Sequence, residues 1–240
     1  MMFPTFSKLD AEKDNESLRN IFQFSVKYAS LIVVPAAALV MCLAVPAVDT
    51  LFGNTYSSAP LFLALLAIPY LFTAFGNLSL GGFLYGQGHT SYVLKLSVLT
   101  GSIGFPMGYI AIMNFGVLGL IVTALMAGIP SLFIGLGFIR KTYGVTVDWL
   151  SSVKILLSSA IAASVTFVAV SLLGFPSWIE LILGVIIFII VLIPFALLTK
   201  SISQSDVANL RGMTRGLGAV GKLLSKVLDI LEKLMAIFKL

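Results

Sequence analysis

Residues 178–198 read WIELILGVIIFIIVLIPFALL, 21 positions with a single charge, Glu180. At 1.5 Å per residue a helix of that length reaches about 30 Å, the hydrocarbon thickness of a bilayer. No face of it is polar, so water would not be its surroundings on any side. Comparable runs precede it at about 25–46, 59–82, 92–113, 117–138 and 154–174. None of them alternates with the period of two that a barrel strand requires, and lipid leaves exposed backbone without hydrogen-bond partners. The expected fold is therefore all-α: a polytopic membrane helix bundle with six transmembrane helices over 25–198. A cytoplasmic segment over 1–24 is expected before it and a basic amphipathic surface helix over 204–240 after it. Turn chemistry separates the runs at Gly53-Asn54, Gly86-Gln87-Gly88, Asn114-Phe115-Gly116 and Gly174-Phe175-Pro176-Ser177.

Composition agrees with that reading. Of 240 residues, 59% are apolar and only 10% charged, whereas a soluble domain carries about 25% charged residues. One cysteine (Cys42) excludes a disulfide within the chain, and one histidine (His89) excludes a histidine-based metal site. The excess of 15 basic over 10 acidic residues is a topology signal at this hydrophobicity, not a sign of a nucleic-acid partner.

The positions of those 15 basic residues set the expected orientation. Lys8, Lys13, Arg19 and Lys27 lie before or at the start of the first run, Lys95 beside the second loop, and Arg140, Lys141 and Lys154 around the fourth. Lys200, Arg211, Arg215, Lys222, Lys226, Lys233 and Lys239 follow the last run. With six crossings all of them fall on one side, and the loops around 47–58, 113–116 and 175–177 contain none. The positive-inside bias then puts both termini in the cytoplasm of a multi-pass protein of the cell membrane. The first 20 residues are too polar for a cleavable signal peptide, so the first span is expected to act as its own anchor.

The tail differs in kind. Leu217, Val220, Leu224, Val227, Leu231, Leu234 and Phe238 step by three and four residues, with Lys222, Lys226, Asp229, Glu232, Lys233 and Lys239 on the other face. Such a helix lies in the headgroup plane, drawn to anionic membrane lipids; a short coiled coil is the rival reading.

Five runs contain an internal proline: Pro35, Pro69, Pro106, Pro130 and Pro194. Each removes an i→i−4 bond, and together they are candidate hinges for a transporter that rocks between two faces; membrane helices also tolerate proline without using it. Lys95, with Ser102 and Tyr109 at i+7 and i+14, forms a polar stripe that can line a wet cavity and attract an anionic headgroup. The alternative is a lysine that snorkels to the interface, and Lys27 has the same two readings. Thr73 and Asn77, at i and i+4, can bond a sugar hydroxyl or glue one helix to another. Ser158, Ala162 and Thr166 form a ridge of small residues suited to close helix packing. His89, in a glycine-rich turn, reads as a solvated loop residue. No carboxylate lies in the middle of a run, which counts against ion coupling there. No acid pair, Ser/His/Asp set, Cys/His pair or phosphate loop can be assembled, so neither enzyme chemistry nor a cofactor is expected.

Phe3-Pro4-Thr5-Phe6-Ser7-Lys8-Leu9, then Phe24-Ser25-Val26-Lys27-Tyr28 and Pro35, resemble the polysaccharide flippases. These are the Wzx-like or O-antigen type of the multidrug/oligosaccharidyl-lipid/polysaccharide exporter superfamily. Leu51-Phe52-Gly53 with Tyr56 and Ala59, Gly86-Gln87-Gly88 with Lys95, and Asn114-Phe115-Gly116-Val117-Leu118-Gly119 with Thr123 and Ala124 continue the resemblance in order. It implies about 14 helices in two pseudo-symmetric lobes that move lipid-linked glycans by alternating access. The six runs here resemble spans nine to fourteen, so the chain is expected to be the C-terminal part of such a transporter. Its expected partners are membrane lipids, a lipid-linked glycan and the missing N-terminal lobe, with Lys27 and Lys95 as contacts to a diphosphate headgroup. A non-transporting membrane scaffold with a lipid-binding tail is the alternative.

Overall fold

The computed structural model describes residues 15–202 together with 206, 207, 209, 211 and 229. Residues 1–14 of the cytoplasmic segment expected over 1–24, the first motif of the resemblance within them, and all but isolated positions of the expected helix over 204–240 lie outside the described residues.

The chain is an all-α helical bundle, with no strand among the described residues. Its helices are α1 (Asn15–Cys42), α2 (Ala44–Phe52), α3 (Ala59–Leu71), α4 (Asn77–Gly86), α5 (Thr90–Tyr143), α6 (Trp149–Leu173) and α7 (Ser177–Leu198). α1 is the central element: it packs on α3 and α6, α6 packs on α7, and α7 on α2. α5 flanks α3 and α4.

α1 begins ten residues or so before the apolar run that announces it. The cause is a stripe at i, i+4 and i+8: Leu18, Phe22 and Val26 are all buried. They join Leu80, Phe83 and Leu84 of α4 and Ile139, Tyr143, Val145 and Val147 in one core cluster. Charges at Glu16 and Arg19 disguise that stripe in the sequence, yet both side chains stay at the surface. Two further clusters lie along α1, one around Val34, Ala74 and Ile155, the other around Ala38, Leu43, Ala162 and Phe188.

The second run was expected as one helix over 59–82. It is instead a bent pair, α3 and α4, which meet at 54°. Pro69 cannot donate to the helix ladder, a 3-10 turn follows at Phe72–Phe75, and Gly76 takes the left-handed conformation with φ 91°. A β-carbon at Gly76 would also stand 3.3 Å from both Phe22 Cζ and Val26 Cγ2, so the close approach of α1 demands glycine as well.

α5 has 54 residues but is not one rod. At Gly116 the backbone leaves helical geometry (φ 61°, ψ −144°), and the chain doubles back. The arm over 90–115 runs antiparallel to the arm over 117–143. Thr100 Oγ1 and Ser131 Oγ share a hydrogen bond across them, Tyr92 stacks on Phe138 with ring centroids 3.9 Å apart, and Gly108 faces Leu120 and Thr123. Among the described residues four helices are long and apolar enough to cross a membrane, or five if α3 and α4 form one span, with α5 counted once in either figure.

Within the apolar core the bundle also buries hydroxyls, while large apolar side chains cover its outside. Ser25, Ser30, Thr73, Ser79, Thr123, Ser152, Ser158, Ser159 and Thr166 are buried, while Leu51, Phe105 and Leu172 are each at least 74% exposed. Hydroxyls join the helices: Ser25 bonds Ser79 at 2.9 Å, Ser30 donates to the Thr73 carbonyl at 3.1 Å, and Ser158 bonds Thr199 at 2.9 Å. Close packing of small residues with hydrogen-bond links is how helices associate when lipid surrounds them. This is a membrane protein.

Candidate functional site: a charged junction at one end of the bundle

Four contacts define one end of the molecule. Gln23 Nε2 donates to the Thr146 carbonyl at 3.0 Å, and Lys27 Nζ lies 2.6 Å from Asp206 Oδ2. His89 Nε2 bonds the Tyr143 hydroxyl, and Ser158 meets Thr199. The start of α1, the turn before α5, the loop before α6 and the segment after α7 therefore share that end. Arg140, Lys141, Lys154 and Lys200 lie on elements gathered there. At the opposite end, where α2, the Gly116 turn and the start of α7 lie, the described charged residues are acidic, Asp49 and Glu180.

Lys27 is the centre of the charged junction. Its side chain is 19% exposed and that of Asp206 only 3%. Tyr28 donates its hydroxyl proton to the other carboxylate oxygen, Oδ1, at 3.3 Å, and Asn209 Nδ2 donates to the Tyr28 oxygen at 2.9 Å. A cation and a hydroxyl on consecutive residues of α1 thus converge on one anion. Asp148 stands in the same electrostatic neighbourhood. Burial alone would raise its pKa. Hydrogen bonds from the Ser151 hydroxyl and N–H and from the Leu150 N–H, with the charge of Lys27, outweigh that and hold it below the usual carboxylate range. Asp148 is also the N-cap of α6, accepting from Ser151 N at 3.3 Å.

The other sequence candidates are placed as follows. Lys95 is exposed near the start of α5 and makes no ion pair among the described residues. Ser102 and Tyr109 are exposed on the same arm, with Ser102 returning its hydroxyl to the Val98 carbonyl at 2.8 Å. These three keep their common stripe, and it points away from the packed core. Lys27 and Lys95 share an end of the bundle but lie on helices that do not pack closely together, since α5 rests chiefly on α3 and α4. Thr73 and Asn77 do not share a helical face. The break at Gly76 intervenes, so Thr73 is buried beside α1 while Asn77 is exposed at the start of α4. The Thr73 hydroxyl has no partner among the described residues. Pro35, Pro69, Pro106, Pro130 and Pro194 all lie inside helices.

His89 is not a solvated loop residue. It is the N-cap position of α5, partly buried between the rings of Phe138 and Tyr143, and its bond to Tyr143 ties the two ends of the hairpin. The glycines around His89 suggest an open turn, while its partner Tyr143 lies 54 residues further along the chain.

Two features have no counterpart among the sequence candidates. Asp206 and Asn209 reach α1 from 179 and 181 residues away, and no local pattern marks them. An apolar groove of about 580 Å³ runs between α1 and α3, bordered by Ile32, Ala36 and Val40 on one side and Leu63, Leu66 and Tyr70 on the other.

The residues that carry α1, α2 and Lys27 also carry a family match. The family model of the polysaccharide biosynthesis proteins matches residues 1–61. No curated protein and no solved structure matches the chain. The match supports a role in polysaccharide synthesis or export, and it agrees with the resemblance to polysaccharide flippases.

Proposed function

We propose that the chain is the C-terminal part of a flippase that moves lipid-linked oligosaccharide or polysaccharide precursors across the cytoplasmic membrane by alternating access. The observation that carries this reading is the family match over residues 1–61, a range that includes the central helix α1 and Lys27. In this reading α1 with α2, the bent α3–α4 pair, the two arms of α5, α6 and α7 make six crossings, and the basic end faces the cytoplasm. Lys27 and Lys95 meet the phosphates of the carrier lipid, while Ser102 and Tyr109 extend the polar path beside Lys95. Thr73 and Asn77, on either side of the break, line the cavity at the depth where backbone geometry is irregular. The five prolines supply bending between the two faces. Membrane lipids, the lipid-linked glycan and an N-terminal lobe of the same transporter are the partners.

The test is leaflet assignment. Deleting the encoding gene in its host should leave the lipid-linked precursor accumulating in the inner leaflet, where glycosidase applied to inside-out vesicles removes it. An unaltered leaflet distribution refutes the flippase reading. A non-transporting membrane scaffold is the second reading, favoured by one observation: Lys27 is already neutralised by Asp206. Under that reading the deletion changes the abundance of a partner complex and leaves flipping intact.

A further inference from the structure

The Lys27 junction consists of two halves of different origin. The receiving half, the Lys27 ammonium and the Tyr28 hydroxyl, belongs to α1, the best-packed helix of the bundle. The received half, the Asp206 carboxylate, belongs to the segment beyond α7. The donors hold opposite oxygens of that carboxylate, Oδ2 from Lys27 and Oδ1 from Tyr28. Asp206 is 2% exposed, so the carboxylate that Lys27 and Tyr28 hold is buried and not resting on the surface. A pair of donors that encloses a carboxylate is equally suited to one oxygen edge of a phosphate, because both groups present two acceptor oxygens to charged and neutral donors. At the end of a transmembrane helix, phosphate is also the anion that a bilayer supplies at high local concentration.

We propose that Asp206 is an internal competitor for an anion site on α1, so that a phosphate group and the segment after α7 bind Lys27 and Tyr28 in mutual exclusion. With the carboxylate seated, Asp206 and Asn209 are held against α1 and the site is closed. A phosphate that takes the ammonium expels Asp206 and with it Asn209, whose amide is held by the Tyr28 oxygen. The Asp148 carboxylate, which feels the charge of Lys27, weakens the site for any anion and keeps the exchange reversible. This deepens the reading of Lys27 as a headgroup contact and rests on it.

The experiment uses the full chain in phosphatidylcholine nanodiscs, with inorganic pyrophosphate as the probe. Asp206→Asn should bind pyrophosphate about tenfold more tightly than the unsubstituted chain, since one charge-assisted competitor is gone. Asp206→Glu, which keeps a competing carboxylate, should not gain. Lys27→Met should abolish binding in either background. In the unsubstituted chain, saturating pyrophosphate should hasten tryptic cleavage after Lys200 and Arg211, a readout that needs no variant to fold. Faster cleavage in phosphatidylglycerol nanodiscs without pyrophosphate names the lipid headgroup as the occupant; a response to soluble pyrophosphate alone names a free phosphate. Equal binding by Asp206→Asn and the unsubstituted chain, or cleavage that pyrophosphate leaves unchanged, overturns the competition. Binding undiminished by Lys27→Met, or no binding by any chain, overturns the headgroup reading with it.

Discussion

The Ser152 hydroxyl donates to the Ala74 carbonyl, joining α6 to the break between α3 and α4. Ser30 does the same from the other side, donating to the Thr73 carbonyl at 3.1 Å. The break leaves the Ala74 carbonyl to be satisfied in the buried interior, where an unpaired carbonyl costs several kcal/mol, while the Thr73 carbonyl also accepts from the Gly76 N–H at 2.9 Å. Ser152 satisfies the first, and Ser30 gives the second an additional donor. The bend is thus built into the packing of α1 and α6, and Pro69 and Gly76 are only its local half. Replacing both serines by alanine should lower stability by about 2 kcal/mol, from about 1 kcal/mol for each bond. Thermal unfolding in detergent checks this, with each single variant losing roughly half of the double variant's shift.

Gly76 tests the same break from the backbone. Its φ of 91° lies where L residues are strained, and a β-carbon would press on Phe22 and Val26 at 3.3 Å. Gly76→Ala should cost about 1–3 kcal/mol, and Gly76→Val more. The loss should appear as reduced membrane abundance and a lower unfolding temperature. Gly81→Ala, on α4 with open space around the new methyl group, is the control that should change neither.

Asp148 gives a pH dependence whose sign is fixed. Its folded-state pKa lies below the unfolded value, so ionised Asp148 stabilises the fold above about pH 4. That contribution disappears as pH falls through the lower, folded-state value. Asp148→Ala removes the cap of α6 and should cost about 1 kcal/mol at neutral pH. Unfolding temperatures measured from pH 7 down to pH 3 should show the difference between the two chains shrinking as the wild-type carboxyl gains its proton. A difference that grows on acidification contradicts this account.

The legibility of the sequence varied with the physical origin of each feature. Apolar length located the helices, because a bilayer imposes a length directly on the chain. The hairpin turn was also visible, at Asn114-Phe115-Gly116, since a reversal needs a residue that accepts positive φ. What length cannot show is direction within a run. Pro69 was noted as a proline in a helix, but the bend it permits depends on Ser30 and Ser152, which lie in other runs. The early start of α1 was hidden because Leu18 and Phe22 are separated by charges that the fold keeps at the surface. The Lys27 junction was half visible: the lysine stood out in an apolar run, while its partner Asp206 looked like one more polar residue of the tail.

The proposed six crossings make a topological prediction that the hairpin sharpens. Single cysteines placed at Phe115 and Phe175, in a chain with Cys42 replaced by alanine, should react with an impermeant thiol reagent added outside intact cells. Cysteines at Gly88 and Lys200 should react only after the membrane is opened. If residues 90–143 crossed once as a single rod, Gly88 and the loop at Gly144 would lie on opposite sides. The bond between His89 and Tyr143 places them together, so a split labelling pattern for those two loops would be incompatible with the fold.

Lys95 separates the transport reading from simple anchoring. It is exposed, near a helix end, and free of any ion pair among the described residues, so its removal should leave the packing intact. Surface substitutions away from packed features change stability by about 0.5 kcal/mol or less. A snorkelling lysine supplies only a stem and a charge at the interface, and Lys95→Arg would keep both. If Lys95 binds the carrier's phosphates, Lys95→Ala should lower glycan export in the full transporter while membrane abundance stays level, and Lys95→Arg should retain much of it. Ser102→Ala and Tyr109→Phe, on the same stripe, should give smaller losses that do not add to that of Lys95→Ala, as expected for groups acting on one ligand. Export unchanged by Lys95→Ala would assign the residue to the interface, and the polar stripe would then be a consequence of where the arm ends.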